Sequence, residues 1–343
     1  MMNQDWQDFL SSQGAHLQDG IAQHFGDAAA ERITTRDGTI RCDLSQFGLL
    51  KVSGEDAQSF LQNLLSNDIR EVTSTRAQLS SFNNAKGRML ASMLIWRDGN
   101  DYVLQLHHSL CEPIRKKLSM YVLRSKVKIA DVSAELVCIG VAGSDARKTL
   151  QVLYPALPQQ AMEVATQGED SILCREANLF QITTTPQHAI ELWQALSALR
   201  AVGSACWDWL DIRAGVPFVQ VATLETFVPQ MLNFEVIGGV NFKKGCYPGQ
   251  EVVARMHYLG KASRRMYLAH LDATTEAKAG DALFSTVSAE QSCGTVVDAQ
   301  LSPNGGIDLL AVVQTASHES ASVHLGKIDG PQLQFQTLPY NLP

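Results

Sequence analysis

The sequence predicts an α+β protein whose C-terminal part is an antiparallel β-barrel or sandwich. Three observations carry this. Strand-like runs and single helical stripes alternate in a strand–strand–helix rhythm, which gives α+β layers rather than a doubly wound parallel sheet. Apolar residues recur at helical spacing in discrete segments, such as Ala57, Phe60, Leu61, Leu64 and Leu65. After Gly260 the helical period fades, and short apolar runs alternate with Gly, Pro, Asn and Ser turns.

The elements follow in order. Residues 1–30 carry scattered apolar residues and predict a helix or two. Strands are expected at Ile40–Asp43 and Leu49–Val52. A helix then runs through "VSGEDAQSFLQNLLSND", with Ser53 as N-cap, Asp56 favouring its N-terminus, and an end near 66–68. Residues 77–106 read as two or three antiparallel strands with turns at 83–87 and 97–101. A helical stripe over 110–123 is followed by strands near 127–130 and 136–141, a helix near 145–154, and strands near 172–175 and 180–183. The clearest helix is 187–201, with Ile190, Trp193, Leu196 and Leu199 on one side. Beyond 260, "RMYLAHL", "ALFST", "CGTVVDAQ", "IDLLAVVQ" and "SVHLG" read as strands. The Gly260–Lys261 area is the expected domain boundary.

The chain has 343 residues, more than one typical core holds, and suits two or three lobes. Hydrophobic residues are 45% and charged residues 18%, as in soluble globular proteins. A net charge of −7 argues against a broad nucleic-acid surface and leaves room only for a local basic patch. The N-terminus lacks the basic and apolar regions of a signal peptide, and no apolar run approaches a membrane span. A cytoplasmic protein without membrane contact is expected. The seven cysteines are odd in number and widely spaced, so reduced thiols are expected rather than disulfides or a zinc ribbon. The histidines form no HExxH, and no GxGxxG, P-loop or GxSxG occurs.

One cysteine has distinctive neighbours. In "KGCYPGQEVVAR" (244–255), Pro248-Gly249 suits a type II turn, with glycine where φ must be positive. From Gln250 the spacing of Val252, Val253, Met256 and Leu259 is helical. Cys246 then precedes a helix N-terminus, with Lys243 and Lys244 beside it, a setting that favours a thiolate. Two readings stand here: a working thiol, or a small residue in a tight corner. A second cluster, "CWDWLDIRAGVPFV" (206–219), sets Trp207, Trp209 and Phe218 around Asp211 and Arg213. It reads either as a slot for a planar heterocycle or as the buried face of a short helix.

"KKGCYPGQE" with "VVAR" closely resembles the hallmark of the YgfZ family, folate-binding relatives of the glycine-cleavage T-protein. "VSGEDAQSFLQNLLSND", "NNAKGRML", "WDWLDIRAGVP" and "FVPQMLNFEVIGGVNFKKGCY" match other family segments in order. The resemblance covers about residues 40–260, and the β-rich tail agrees with the family's C-terminal barrel. It implies a three-lobed T-protein-like, folate-binding body over 1–260. Its two α+β lobes would hold roughly 40–130 with 235–260, and 131–234, with a barrel over 261–343. It implies tetrahydrofolate or another folate as cofactor and iron–sulfur enzymes such as tRNA methylthiotransferases as partners. The implied function is support of iron–sulfur cluster maintenance and tRNA thiomodification.

By the same resemblance Cys246 is the key residue, with Lys244, Gln250, Glu251 and Arg255 shaping its surroundings. Trp207 and Phe47 map onto the folate-side aromatics, and Asp211 and Arg213 lie beside them. Where the T-protein carries an acidic pair after its "KGG" turn, "KGRMLASML" places Ala91 and Ser92, which cannot ionise near neutral pH. Arg213 stands where the T-protein has a pterin-facing glutamate, and arginine only donates hydrogen bonds. A glycine-cleavage aminomethyltransferase is therefore disfavoured against an accessory protein. A one-carbon transferase and a ligand-free interaction module are the alternatives. A lone cysteine does not hold an iron–sulfur cluster, so no stable metal is expected.

Overall fold

The computed structural model describes residues 3–260, 262–272, 276–287 and 291–343. The expected boundary at Lys261 and the side chain of Leu259 lie outside the described residues. The chain divides into two compact units. One comprises Met1–Phe60, Arg70–Gln78 and Leu94–Trp207, the other Leu61–Ile69, Leu79–Met93 and Asp208–Pro343.

The first unit is built on a six-stranded sheet. Its order is Val164–Gln167, Asp170–Glu176, Leu179–Thr184, Val137–Gly143, Thr39–Asp43 and Arg200–Val202. Neighbours are antiparallel except the last pair, where Arg200 lies beside Ile40 in parallel. Alternate residues of the strands face one apolar core, where Ile139, Val141, Phe180 and Ile182 meet Trp6, Leu10, Leu150 and Trp193. These last four come from the helices Gln4–Ser12, Ala146–Leu153 and Pro186–Ala195. Asn3 caps the first helix by accepting the Trp6 N–H, and Trp6 meets Trp193 edge-on at 5.6 Å.

Three local readings change. The helix expected over 187–201 ends at Ala195, and Arg200–Val202 becomes a strand. Trp193, Leu196 and Leu199 are still buried, so the apolar spacing was real. The backbone after it pairs with the otherwise open edge of Thr39–Asp43. The helix expected to start at Ser53 spans only Ala57–Gln62, because Ser53 completes the strand Phe47–Ser53. Asp56 accepts the Lys126 N–H at 2.7 Å instead of capping that helix. The N-terminal region adds a hairpin, His16–Gln18 with Ile21–His24, and then a helix, Ala28–Asp37.

A five-stranded sheet has the order Gln78–Asn83, Met89–Asp98, Asp101–His107, Phe47–Ser53 and Lys128–Asp131. Both expected turns are present between its first three strands. In the second unit, six antiparallel strands form the C-terminal sheet. The order is Val323–Leu325, Ala282–Ser285, Gly294–Leu301, Ile307–Gln314, Arg264–Leu271 and Gln334–Gln336. Leu271, Leu283, Val296, Leu309 and Val313 fill its core. Among the described residues the order leaves two edge strands, so the sheet is a half-barrel. The α+β architecture with a β-rich C-terminal sheet is the one expected.

One buried group gives the first unit a pH dependence. Asp43 is fully buried, accepts the Trp6 indole N–H at 2.8 Å and the Ser45 hydroxyl at 2.9 Å, and is pushed up to about 6 by burial. The native state therefore holds this proton more tightly than the unfolded chain does. Its contribution to stability should fall as pH rises from about 4 to about 6, by on the order of 2–3 kcal/mol. Denaturation of Asp43→Asn across this range should show a flatter pH profile, and an unchanged slope would refute the assignment.

Candidate functional site

The hallmark segment folds as its turn chemistry requires. The Gln250 N–H bonds to the Tyr247 carbonyl at 3.1 Å, and Gly249 sits at φ 78°, ψ 4°, closing a type II turn over Pro248-Gly249. The helix Gln250–Leu259 starts directly after it. A side chain at position 249 would meet the Asn84 carbonyl oxygen and the Gly87 backbone at 2.5 Å. Gly87, itself at φ 73°, belongs to the tip of the Lys-Gly-Arg hairpin. The Asn84 carboxamide oxygen holds that tip by accepting the N–H groups of Lys86 and Arg88. The hairpin and the hallmark turn thus meet backbone to backbone in the second unit.

Of the seven cysteines, six are buried and Cys246 is exposed. Lys244 is only 6% exposed, and its ammonium is turned inward. It donates to the Gln62 carbonyl at 2.6 Å and to the Leu65 carbonyl, and lies 5.0 Å from the Tyr247 ring. These carbonyls close the end of the helix Ala57–Gln62, where a cation is favoured. Lys244 therefore anchors the loop through the backbone on either side of 62–65. Gln250 is half-buried, while Lys243, Glu251 and Arg255 are exposed. Glu251 and Arg255 are four apart on one helix face. The structure so brings Lys244, Cys246, Gln250, Glu251 and Arg255 into one loop and helix, with different exposures.

The folate-side candidates are more dispersed. Phe47 is buried and lines a cleft of about 490 Å³ in the first unit, with Gly48, His108, Cys111, Asp131 and Ser133. Trp207 is 0% exposed, with its six-membered ring packed onto Gly140, where any side chain would collide with it. The Arg175 guanidinium lies 5.8 Å from the same ring. The sealed ring offers no open face for stacking. Its indole N–H, however, has no acceptor among the described residues, a costly state for a buried donor. Folate carbonyl or ring-nitrogen chemistry would suit such a donor, but the N–H is as sealed from solvent as the ring.

Sequence reasoning missed two neighbours. Gln181 pairs with Gly140 across the strands and donates to the Gln105 carboxamide oxygen at 2.5 Å. The buried Gln181 oxygen and Gln105 nitrogen have no hydrogen-bond partner among the described residues. The available signal was a glutamine inside each of two otherwise apolar runs, "YVLQL" and "LFQI". Asp211 and Arg213 lie on the helix Ser204–Ala214. Asp211 is buried, and burial together with its charge pushes Asp298 upward. Arg213 donates to the Gln336 side-chain oxygen. Ala91 and Ser92 are buried too, and the Ser92 hydroxyl accepts the Val219 N–H at 2.8 Å. Among the described residues, no three His, Cys, Asp or Glu side chains are placed to hold a metal. Among the described residues, no helix is long and apolar enough to cross a membrane.

Anchor and thiol should separate in stability measurements. Lys244→Ala removes charge-assisted bonds to two carbonyls and should cost about 2–4 kcal/mol in chemical denaturation. Cys246→Ala touches an exposed loop atom and should stay within about 0.5 kcal/mol. Equal effects would mean that Lys244 is not the anchor.

The GCVT N-terminal domain family matches residues 7–209. Proteins named tRNA-modifying protein YgfZ, from Escherichia coli O81 (strain ED1a) and Shigella boydii serotype 4 (strain Sb227), are 32% identical over 303 residues. The match covers 87% of this chain and 92% of each relative. In structure the chain is similar to the glycine cleavage system aminomethyltransferase T from Bartonella henselae. The TM-score is 0.79 at 19% identity, covering 97% of this chain and 96% of that one. A T-protein-like fold and relatives of this identity and coverage place the chain in one family, and the chain belongs to the YgfZ family.

Proposed function

We propose that this protein is a folate-binding accessory protein that supports iron–sulfur cluster maintenance and tRNA thiomodification, acting in the cytoplasm on iron–sulfur enzymes such as a tRNA methylthiotransferase. The observation that carries the reading is the single exposed thiol, Cys246, presented by the family hallmark on a turn packed against the Lys-Gly-Arg hairpin. The name of the curated relatives, tRNA-modifying protein YgfZ, supports the tRNA side of it. Cys246 makes a transient sulfur or cluster contact with the client, or performs thiol chemistry on a folate-bound carbon unit. Lys244 holds the loop, and Gln250, Glu251 and Arg255 shape the approach. A stable cluster normally takes four thiolates, so none is assigned to this chain.

Tetrahydrofolate or a related folate is the proposed ligand of the 1–260 region, with 261–343 as a separate C-terminal module. Trp207 would supply an N–H and Phe47 an aromatic edge, with Asp211 and Arg213 further along the Trp207 helix. Bound folate would supply a carrier for one-carbon units. The rival reading, aminomethyl transfer as in the T-protein, lacks a carboxylate at positions 91 and 92. Ser92 is committed to the Val219 backbone, and Ala91 has no polar group.

In cells lacking their own family protein, the wild-type chain should restore tRNA methylthiolation and iron–sulfur enzyme activity, and Cys246→Ala should not. Full rescue by the variant would overturn the role of Cys246. Tetrahydrofolate titrated against tryptophan fluorescence should bind, and Trp207→Phe should weaken binding by about 2–12-fold, the worth of one hydrogen bond. Absence of wild-type binding would remove folate from the reading. Turnover in a reconstituted glycine-cleavage assay would favour the transferase instead.

A further inference from the structure

The hallmark helix carries a second feature that thiol chemistry does not use. Phe242, from the loop before Cys246, stacks on His257 of the helix, with centroids 3.8 Å apart and planes 11° apart. Tyr258 stands edge-on to both, at 6.2 Å from Phe242 and 4.8 Å from His257. Tyr258 is 66% exposed, and His257 is exposed beside it. A large aromatic side chain left in water next to a formed ring stack is an open platform.

The sequence segment that carries the platform is basic. In a chain of net charge −7, residues 242–265 contain six basic side chains (Lys243, Lys244, Arg255, Lys261, Arg264, Arg265) against one acidic, Glu251. Lys244 is turned inward, and Arg265 pairs with Glu235. Lys243 and Arg255 remain exposed. Lys86 joins them from the hairpin tip, since its neighbour Gly87 lies against Val252 and the Gly249 carbonyl. Exposed cations interleaved with exposed ring faces match a polyanion that also carries flat faces. An acidic peptide would use the cations and leave the rings idle. A duplex hides its base faces, whereas an unpaired RNA segment offers both phosphates and stackable bases.

We infer that the surface formed by Lys86, Lys243, Arg255, His257 and Tyr258 binds a short unpaired RNA segment and brings it alongside Cys246. The patch has few cations, so it contacts two or three phosphates and binds weakly, in keeping with an acidic protein that has no broad nucleic-acid face. The inference stands without the folate reading, because none of these residues belongs to the proposed folate set.

The test is fluorescence anisotropy of the full chain with a labelled single-stranded A-rich RNA of about 12 nucleotides, over about 50–200 mM salt. Saturable, salt-sensitive binding is expected. Tyr258→Ala should weaken it about 10-fold, and Tyr258→Phe, which keeps the ring, should bind within about 2-fold of wild type. The pair Lys86→Gln with Lys243→Gln should reduce the log–log salt slope by about 1.4, two phosphates at about 0.7 each. Lys148→Gln, an exposed cation of the helix Ala146–Leu153, should change neither. Absence of binding at the lowest salt, equal affinity for the same sequence as duplex, or losses as large in Lys148→Gln would overturn the inference. So would a glutamate-rich peptide that displaces the RNA and binds Tyr258→Ala as well as wild type.

Discussion

The arrangement of the hallmark rests on one backbone contact, between Gly249 and Gly87. Each glycine has a positive φ; a side chain at 249 would meet the Gly87 backbone at 2.5 Å, and one at 87 would press on the Val252 side chain at 3.1 Å and the Gly249 carbonyl at 3.2 Å. That close approach lets a type II turn and a hairpin tip share one surface. Lys244 locks the other end of the loop by donating to the carbonyls of Gln62 and Leu65, nearly 180 residues earlier in the sequence. Between these two fixings sits Cys246, which needs no bond of its own to stay in place. Conformational entropy is removed from the loop by its neighbours, so the thiol is presented already ordered.

The proposed function also draws on positions 91 and 92. Positions 91 and 92 are used for packing and for a single bond to the Val219 backbone, so no carboxylate stands there to steer developing charge. Buried polar groups on Trp207, Gln105 and Gln181 in the first unit have no partner among the described residues. Such groups are costly when idle, and low-dielectric surroundings make each one a strong and directional partner for a ligand that reaches it. In the proposed function, a T-protein-like fold with no carboxylate at positions 91 and 92 and with one exposed thiol serves binding and contact chemistry rather than amine transfer.

Features set by neighbouring residues were legible in the sequence. Pro248-Gly249 encodes its turn through φ preferences, and the helix from Gln250 follows from apolar spacing. The five strand-like runs after residue 260 all became strands, because Gly, Pro and Asn turns bound them. Features set by distant partners were not. Lys244 looked like a charge beside the thiol, since nothing local reveals the carbonyls that claim it. Arg200–Val202 looked helical, since the apolar spacing of Leu196 and Leu199 does not report an open sheet edge at Thr39–Asp43. Trp207 looked like a stacking surface, and only the packed sheet shows Gly140 sealing its ring. The short strand Gln334–Gln336, with a single phenylalanine between two glutamines, carried too little pattern to be seen.

The central claim is that the fold buries six thiols and holds one, Cys246, in water on a fixed turn. Alkylation of the native protein with iodoacetamide, mapped by peptide mass spectrometry, tests it most directly. The account predicts a single adduct at Cys246 within the time that leaves Cys42, Cys111, Cys138, Cys174, Cys206 and Cys293 unmodified, and modification of all seven after denaturation. Protection of Cys246 in the native state, or labelling of any other cysteine at the same rate, would contradict it.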